Sequence, residues 1–204
     1  MIEGPCIFIL KPGDRLFASL HSIVFVTSAI AISAATVCGV AAPTKGQAPF
    51  VCLAKPFLLV KLPCSTLAFQ QWIYEEPPSF HLEIADGTNA PDPGKLSSAA
   101  RALLFPHFVE FFERHKNWMH QNIHKDRYRW PTELCFASIV RDAISHNNIR
   151  IRNKNETVSW GIRTYSAADN DRDPFENGEL GLGDLILLMA EMSLRLNDLK
   201  CPTF

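Results

Sequence analysis

Apolar and polar positions follow three different rhythms along this chain, and each rhythm predicts an element. From Leu16 to Ala42 (LFASLHSIVFVTSAIAISAATVCGVAA) there is no rhythm, because no charged side chain interrupts about 27 residues. That exceeds the roughly 18–20 apolar residues needed to cross a bilayer and predicts a single transmembrane helix. From Leu96 onward the apolar positions recur at three- and four-residue intervals, the helical period. Ser97 or Ser98 can cap a helix through Phe105, and Pro106 kinks it or opens the next one. Leu104, Phe108, Phe111, Phe112, His115, Trp118, Met119 and Ile123 then mark one face of a stretch that runs to His124. Pro131 suits a helix start, Phe136, Ile139, Val140, Ala143 and Ile144 form its buried stripe, and Asn147-Asn148 ends it.

The period then falls to two. Ile149 and Ile151 alternate with Arg150 and Arg152, and after residues 153–156 Val158, Trp160 and Ile162 alternate with Ser159, Gly161 and Arg163. This predicts a β-hairpin with its tip at 153–156. A last helix is expected from about Asp184, with Leu185, Leu188, Met189, Met192, Leu196 and Leu199 inward and Glu191–Arg195 paired one turn apart on the wet side.

Between the apolar run and the helical region the punctuation changes. Residues 50–69 (FVCLAKPFLLVKLPCSTLAF) are apolar, but Lys55 and Lys61 would each cost about 2.5–3.5 kcal/mol at mid-membrane, and Pro56 and Pro63 interrupt a helix. Extended structure is expected there rather than a second span. Residues 75–95 are rich in Pro, Asp, Gly and Asn around one alternating piece, Phe80 to Ile84, and read as a linker with a brief strand. The organisation expected is an N-terminal segment (1–15), a transmembrane anchor or signal (16–42), a Pro-rich linker with short extended pieces (43–95) and a globular domain (96–204). The fold class is α+β, mainly helical, with three to four helices and a β-hairpin behind a single transmembrane helix.

Two other readings of the apolar run compete with the anchor. A cleaved signal would use Gly39 and Ala41, or Ser33 and Ala35, but about 15 residues including Glu3 and Asp14 precede the run. The run also exceeds an h-region of ~7–15 residues. A soluble core element would rarely stay uncharged for so long. His21 suits an interface position near one end of a span. Orientation is open, since Lys11 and Arg15 precede the run while Lys45, Lys55 and Lys61 follow it.

Twenty basic and twenty-one acidic residues leave a formal charge of −1, which marks neither a nucleic-acid protein nor an acidic tail. The six cysteines (Cys6, Cys38, Cys52, Cys64, Cys135, Cys201) contain no CxxC. Reduced buried thiols are the default, with Cys52–Cys64 the shortest disulfide loop available in an oxidising compartment.

Four constellations bear on chemistry. Asp173 to Asp184 (DPFENGELGLGD) partly resembles the calcium loop of EF-hands and dockerins, with Asp173, Asn177, Gly178, Leu180 and Asp184 at positions 1, 5, 6, 8 and 12. Phe175 stands at ligand position 3, and a hairpin rather than a helix enters the loop. Glu176, Glu179 and Asp184 serve equally as carboxylates at a helix N-terminus. Glu113, His120 and His124 share a helix face with Glu110 nearby and could ligate a metal, although no HExxH occurs. No GxSxG or phosphate loop is present, and Cys135 falls on an apolar face, so no catalytic residue and no cofactor are assigned.

The order helix, turn, helix, hairpin is that of a winged helix, with Lys125, Arg127, Arg129, Arg150, Arg152, Lys154 and Arg163 as basic residues that could track phosphates. Its recognition helix, residues 131–146, offers little besides Arg141 and His146. Asn155-Glu156-Thr157 is a glycosylation sequon that matters only on the lumenal or extracellular side. Tyr128-Arg129-Trp130 is the expected contact patch, because these residue types are over-represented in binding hot spots. The expected function is a membrane-anchored protein whose C-terminal domain binds another macromolecule, most simply a protein. Nucleic-acid binding and a metal-dependent enzyme are the alternatives.

Overall fold

A computed structural model describes residues 8–22, 45–51, 57–65, 80–85, 96–175 and 179–203, with side chains at 9–22, 101–175 and 179–203. The apolar run enters this structure at its very start. After strand β1 (Phe8–Leu10) the chain reverses through a turn in which Asp14 N–H donates to the Lys11 carbonyl (2.9 Å). Pro12 and Gly13 fill its centre. Gly13 sits at φ 95°, as the third position of a type II turn requires. Helix α1 is helical over 17–22. Leu16, Phe17 and Leu20 are buried with the C-terminal helices in one apolar core.

Arg15 ties this segment to the other end of the chain. Its guanidinium donates to Asn197 Oδ1 (2.8 Å), the Pro202 carbonyl (2.5 Å) and the Cys201 carbonyl. The expected span therefore begins inside the folded unit, not outside it, and residues 23–42 of that span lie outside the described residues. Among the described residues, no helix is long and apolar enough to cross a membrane.

The segment expected to be a linker carries three paired strands. With β1 they make a four-stranded antiparallel sheet of β2 (Lys45–Val51), β3 (Phe57–Ser65) and β4 (Phe80–Ala85) in the order β1-β4-β3-β2. The prolines are placed where a strand tolerates a missing donor. Pro49 lies on the edge strand β2, and Pro63 lies where the β2–β3 register shifts, between the pairs Gln47↔Lys61 and Lys45↔Ser65.

Helix α2 (Leu96–Asn122) runs unbroken through Pro106, where the sequence allowed a kink or a new start. Both Pro106 and Ala102, whose carbonyl loses its partner, are exposed, so the orphaned acceptor is not trapped in the core. Leu104, Phe108, Phe111, Phe112, His115 and Met119 form its buried stripe. His115 Nδ1 lies 2.8 Å from the Phe111 carbonyl. Burial lowers the His115 pKa against the opposing effect of that carbonyl, and the charges of Arg15 and Arg114 lower it further.

Helix α3 (Thr132–His146) follows Pro131 and stops at Asn147, which takes the left-handed conformation (φ 59°). It packs against α2, the final helix and the hairpin, and every residue from Leu134 to Val140 is buried. The hairpin pairs β5 (Thr157–Trp160) with β6 (Arg163–Ser166). Its tip is Gly161-Ile162, not residues 153–156. Positive φ at the first loop position only (Gly161, 56°) is the type II′ pattern that suits a two-residue hairpin. Ile162, expected inside, is consequently 79% exposed.

Ile149 and Ile151 do keep their inward alternation, but their partners are in residues 169–172. Ile149 exchanges backbone bonds with Arg172 and Asp171 (2.8 and 3.1 Å), and the Asn170 side chain brackets Ile151.

The last helix, α4 (Leu182–Asp198), starts with the Asp184 carboxylate accepting from Gly181 N–H (2.6 Å). Its polar face is wired across the fold rather than along itself. Glu191 accepts from Trp160 Nε1 (2.6 Å) and Arg195 pairs with Glu133, which replaces the expected Glu191–Arg195 pair. Burial raises the Glu191 pKa, partly offset by that indole bond. The result is a mixed, mainly helical fold with a two-stranded hairpin.

Candidate functional site

Residues 124–131 carry the chain from α2 into α3, and their own side chains fix the bend. Asp126 caps a 3-10 turn (Arg127–Arg129), accepting from Tyr128 N–H (3.1 Å), while His124 Nδ1 accepts from Asp126 N–H (2.9 Å). Trp130 closes it from below. It is 6% exposed, donates through Nε1 to the His124 carbonyl (2.6 Å) and stands edge-on to His120 at 4.8 Å.

Arg127 joins this bend to the segment after α3. One guanidinium nitrogen meets Asp142 Oδ2 at 2.5 Å and another donates to the Arg150 carbonyl at 2.9 Å, with the group 5.3 Å from the Tyr128 ring centre. Burial opposes the Arg127 charge, but its bonds to Asp142 and Tyr128 outweigh that and raise its pKa. Asp142 is shared with Arg141, which also pairs with Glu113. Tyr128 supplies the second stitch, its hydroxyl accepting from Arg152 N–H (3.1 Å).

These stitches bring two basic segments, 125–129 and 150–154, side by side. Since Ile149 and Ile151 are buried and Arg127 faces inward, the outward residues are Lys125, Arg129, Arg150, Arg152 and Lys154, all exposed. Arg150 Nε donates to Asn148 Oδ1 (3.0 Å). Asp126, which caps the turn, and Glu156, which accepts from Asn153, lie beside the strip and keep their negative charge. The five outward cations exceed these two carboxylates, so the seam is a net positive strip on a chain of net charge −1, which leaves the remainder acidic.

Six of the seven basic residues expected to track phosphates meet in this seam, and the expected contact patch overlaps it at Arg129. Of the expected contact patch, Arg129 is exposed, Tyr128 is a half-buried staple and Trp130 belongs to the core. Of the expected phosphate-tracking set, Lys125, Arg129, Arg150, Arg152 and Lys154 lie on the strip, Arg127 holds it together, and Arg163 sits at the far, closed end of the hairpin opposite Trp160. Asn155 is exposed in the loop that leads into β5, not at the hairpin tip. Asp142, the counter-charge that orients Arg127, was not foreseen, because no spacing rule links positions 127 and 142.

The element order of a winged helix is present, yet α3 is buried from Leu134 to Val140 and exposes only Thr132 at its start and Ser145 and His146 at its end. It has no free polar face to lay in a nucleic-acid groove.

The metal-ligating candidates are engaged elsewhere. Asp173 accepts from Phe175 N–H (2.8 Å), Glu179 pairs with Arg172, Asp184 caps α4, and Asn177 lies outside the described residues. Phe175, at the third loop position, is buried. Glu113 pairs with Lys116 and Arg141, and His120 Nδ1 lies 3.0 Å from the Lys125 carbonyl. Among the described residues no group of three or more His, Cys, Asp or Glu side chains could hold a metal ion. Burial pushes the Cys135 thiol up to about 11, so at neutral pH it stays protonated and a poor nucleophile. The Cys52–Cys64 disulfide candidate lies outside the described side chains.

Comparison of the chain with family models, with curated proteins and with solved structures finds no match.

Proposed function

We propose that this chain is a membrane-anchored protein whose folded part binds an anionic macromolecular partner through the Lys125–Arg129 and Arg150–Lys154 seam, without performing chemistry on it. The observation that carries the reading is the exposed cationic strip stitched by Arg127 and Tyr128. Keeping five like charges together costs electrostatic self-repulsion, and an anionic partner relieves it.

The anchor rests on the sequence from Ile23 to Ala42, twenty residues with no charge. Because β1 pairs with β4 and Arg15 bonds Asn197, the chain before and after this stretch belongs to one folded unit, so the proposed anchor enters and leaves the same face of a bilayer rather than crossing it.

Retention of the detergent-solubilised full chain on an immobilised polyanion tests the seam. The wild type is expected to bind at low salt and elute with a steep salt dependence. The triple variant R129E/R152E/K154E is expected to flow through. Among the described residues those side chains bond to nothing in the core, so the melting temperature is expected to shift no more than ordinary surface substitutions do. Equal retention of both proteins would remove the seam as the binding surface.

A further inference from the structure

We infer that the anionic partner of the basic seam is a short acidic segment of another protein, bound in extended form along Arg150 to Lys154 with carboxylates at alternate positions. The inference rests on the anionic-partner reading and names the partner. It does not depend on the anchor.

The strap after α3 sets the spacing. Ile149 and Ile151 are buried while Arg150 and Arg152 are exposed, the alternation of extended backbone. Two residues at a rise of ~3.3 Å place these outward arginines about 6.6 Å apart. An extended polypeptide with Asp or Glu at every second position repeats its carboxylates at the same interval. Neighbouring carboxylates then meet neighbouring guanidinium groups in register, and each planar guanidinium can donate two parallel bonds to a carboxylate. Both arginines are available for this. Arg150 Nε donates to the neutral Asn148 Oδ1 (3.0 Å), and neither arginine forms an ion pair among the described residues.

The backbone beneath is already committed. The Arg150 carbonyl and Arg152 N–H are held by Arg127 and Tyr128, and Ile149 and Ile151 are held by residues 169–172. A partner is therefore read by side chains on a preset frame, which lowers the ordering cost of docking.

Carboxylates at the margins of the row select against a uniform polyanion. Asp171 stands at its start, where Oδ1 accepts from Asn148 Nδ2 (3.2 Å). Glu156 stands at its end, accepting from Asn153 (3.3 Å), and Asp126 separates Lys125 from Arg127 on the facing segment. A nucleic-acid strand carries a charge on every phosphate and would set some of them against these acids. A polypeptide can place neutral or basic residues there and keep its carboxylates for the arginines. The seam also lacks what bases require. Trp130 is in the core, and Tyr128 is half-buried with its hydroxyl on Arg152 N–H, so neither ring offers a stacking platform.

The test is fluorescence anisotropy of labelled probes titrated with the detergent-solubilised full chain at low salt. The probes are a peptide of alternating glutamate and serine, its isomer with the glutamates in adjacent pairs, and a single-stranded oligonucleotide of equal charge. The alternating peptide is expected to bind tightest, a few-fold better than the paired isomer, the scale of one exposed ion pair. The oligonucleotide is expected to bind about tenfold more weakly. R150E/R152E is expected to lose about tenfold or more for the alternating peptide, and R152K, which keeps the charge, to retain most of its binding. In E156Q/D171N the gap between oligonucleotide and peptide is expected to narrow. Equal affinity for the two peptide isomers overturns the inference. An oligonucleotide that binds as tightly as the alternating peptide also overturns it, and if R150E/R152E abolishes that binding the seam itself stands with a nucleic-acid partner. Binding of none of the probes removes the seam and the inference together.

Discussion

Replacing Phe136 with alanine is expected to destabilise the folded part by about 3–5 kcal/mol, the range for emptying a fully buried aromatic site. Phe136 lies at the centre of α3 with no exposed surface, its ring stacked on Tyr165 (5.5 Å, 14° between planes) and tilted against Trp160 (5.5 Å, 32°). It is the joint between the helical layer and the hairpin. The void would not close easily, because Trp160 is fixed from its other edge by Glu191 and the two strands move only together. Both the lost transfer energy and the residual cavity therefore count. Against a total of ~5–15 kcal/mol, such a loss is a large share of the stability. Chemical denaturation of the detergent-solubilised chain, followed by tryptophan fluorescence, measures it. Ile162→Ala at the exposed hairpin tip is the control and is expected to change stability by less than about 0.5 kcal/mol. A Phe136→Ala cost no larger than the control would contradict this core.

Leu20→Ala is expected to cost about 2–5 kcal/mol in the same assay. Leu20 belongs to the long uncharged run, yet it is fully buried among residues of the C-terminal helices, and Arg15 fastens the start of the run to Asn197 and the segment after α4. If the whole run from Leu16 were bathed in lipid, trimming Leu20 would leave the unfolding of the folded part unchanged. Ile30→Ala, in the stretch assigned to the membrane, is expected to leave it unchanged. The pair of variants thus locates the point along residues 16–42 where the folded core ends.

Much of the helical part was legible in the residues because local signals agreed with the packing. The stripe Leu104–Met119, the Pro131 start and the Asn147 stop depend on short-range stereochemistry, and tertiary contacts only reinforced them. The hairpin was misplaced by a register argument. Alternation of Val158, Trp160 and Ile162 looked continuous, but Gly161 is the residue that permits a two-residue reversal, and reversing there exposes Ile162. Pairing partners on α4 were illegible for another reason. Glu191 and Arg195 satisfy the i,i+4 rule, worth only about 0.3–0.5 kcal/mol on a helix surface, and stronger offers from Trp160 and Glu133 across the fold prevailed. Extended pieces at 50–69 and 80–84 were legible, but their pairing with β1 into one sheet was not, because proline-rich sequence resembles linker, although Pro49 and Pro63 occupy the edge and the irregularity where strands accept them. The seam itself combines residues twenty or more positions apart through Arg127, Tyr128 and Asp142, and no local pattern encodes such an encounter.

The central claim is that residues 23–42 insert into a bilayer from the one face on which the folded part lies, while Leu16 to Leu20 stay in the folded core. Alkaline carbonate extraction of membranes containing the full chain, followed by protease treatment of the pellet, tests it most directly. The expected result is that the chain sediments with the membranes and yields a protected core fragment that retains Leu16–Leu20 together with the C-terminal helices. Release of the intact chain into the carbonate supernatant would contradict the account.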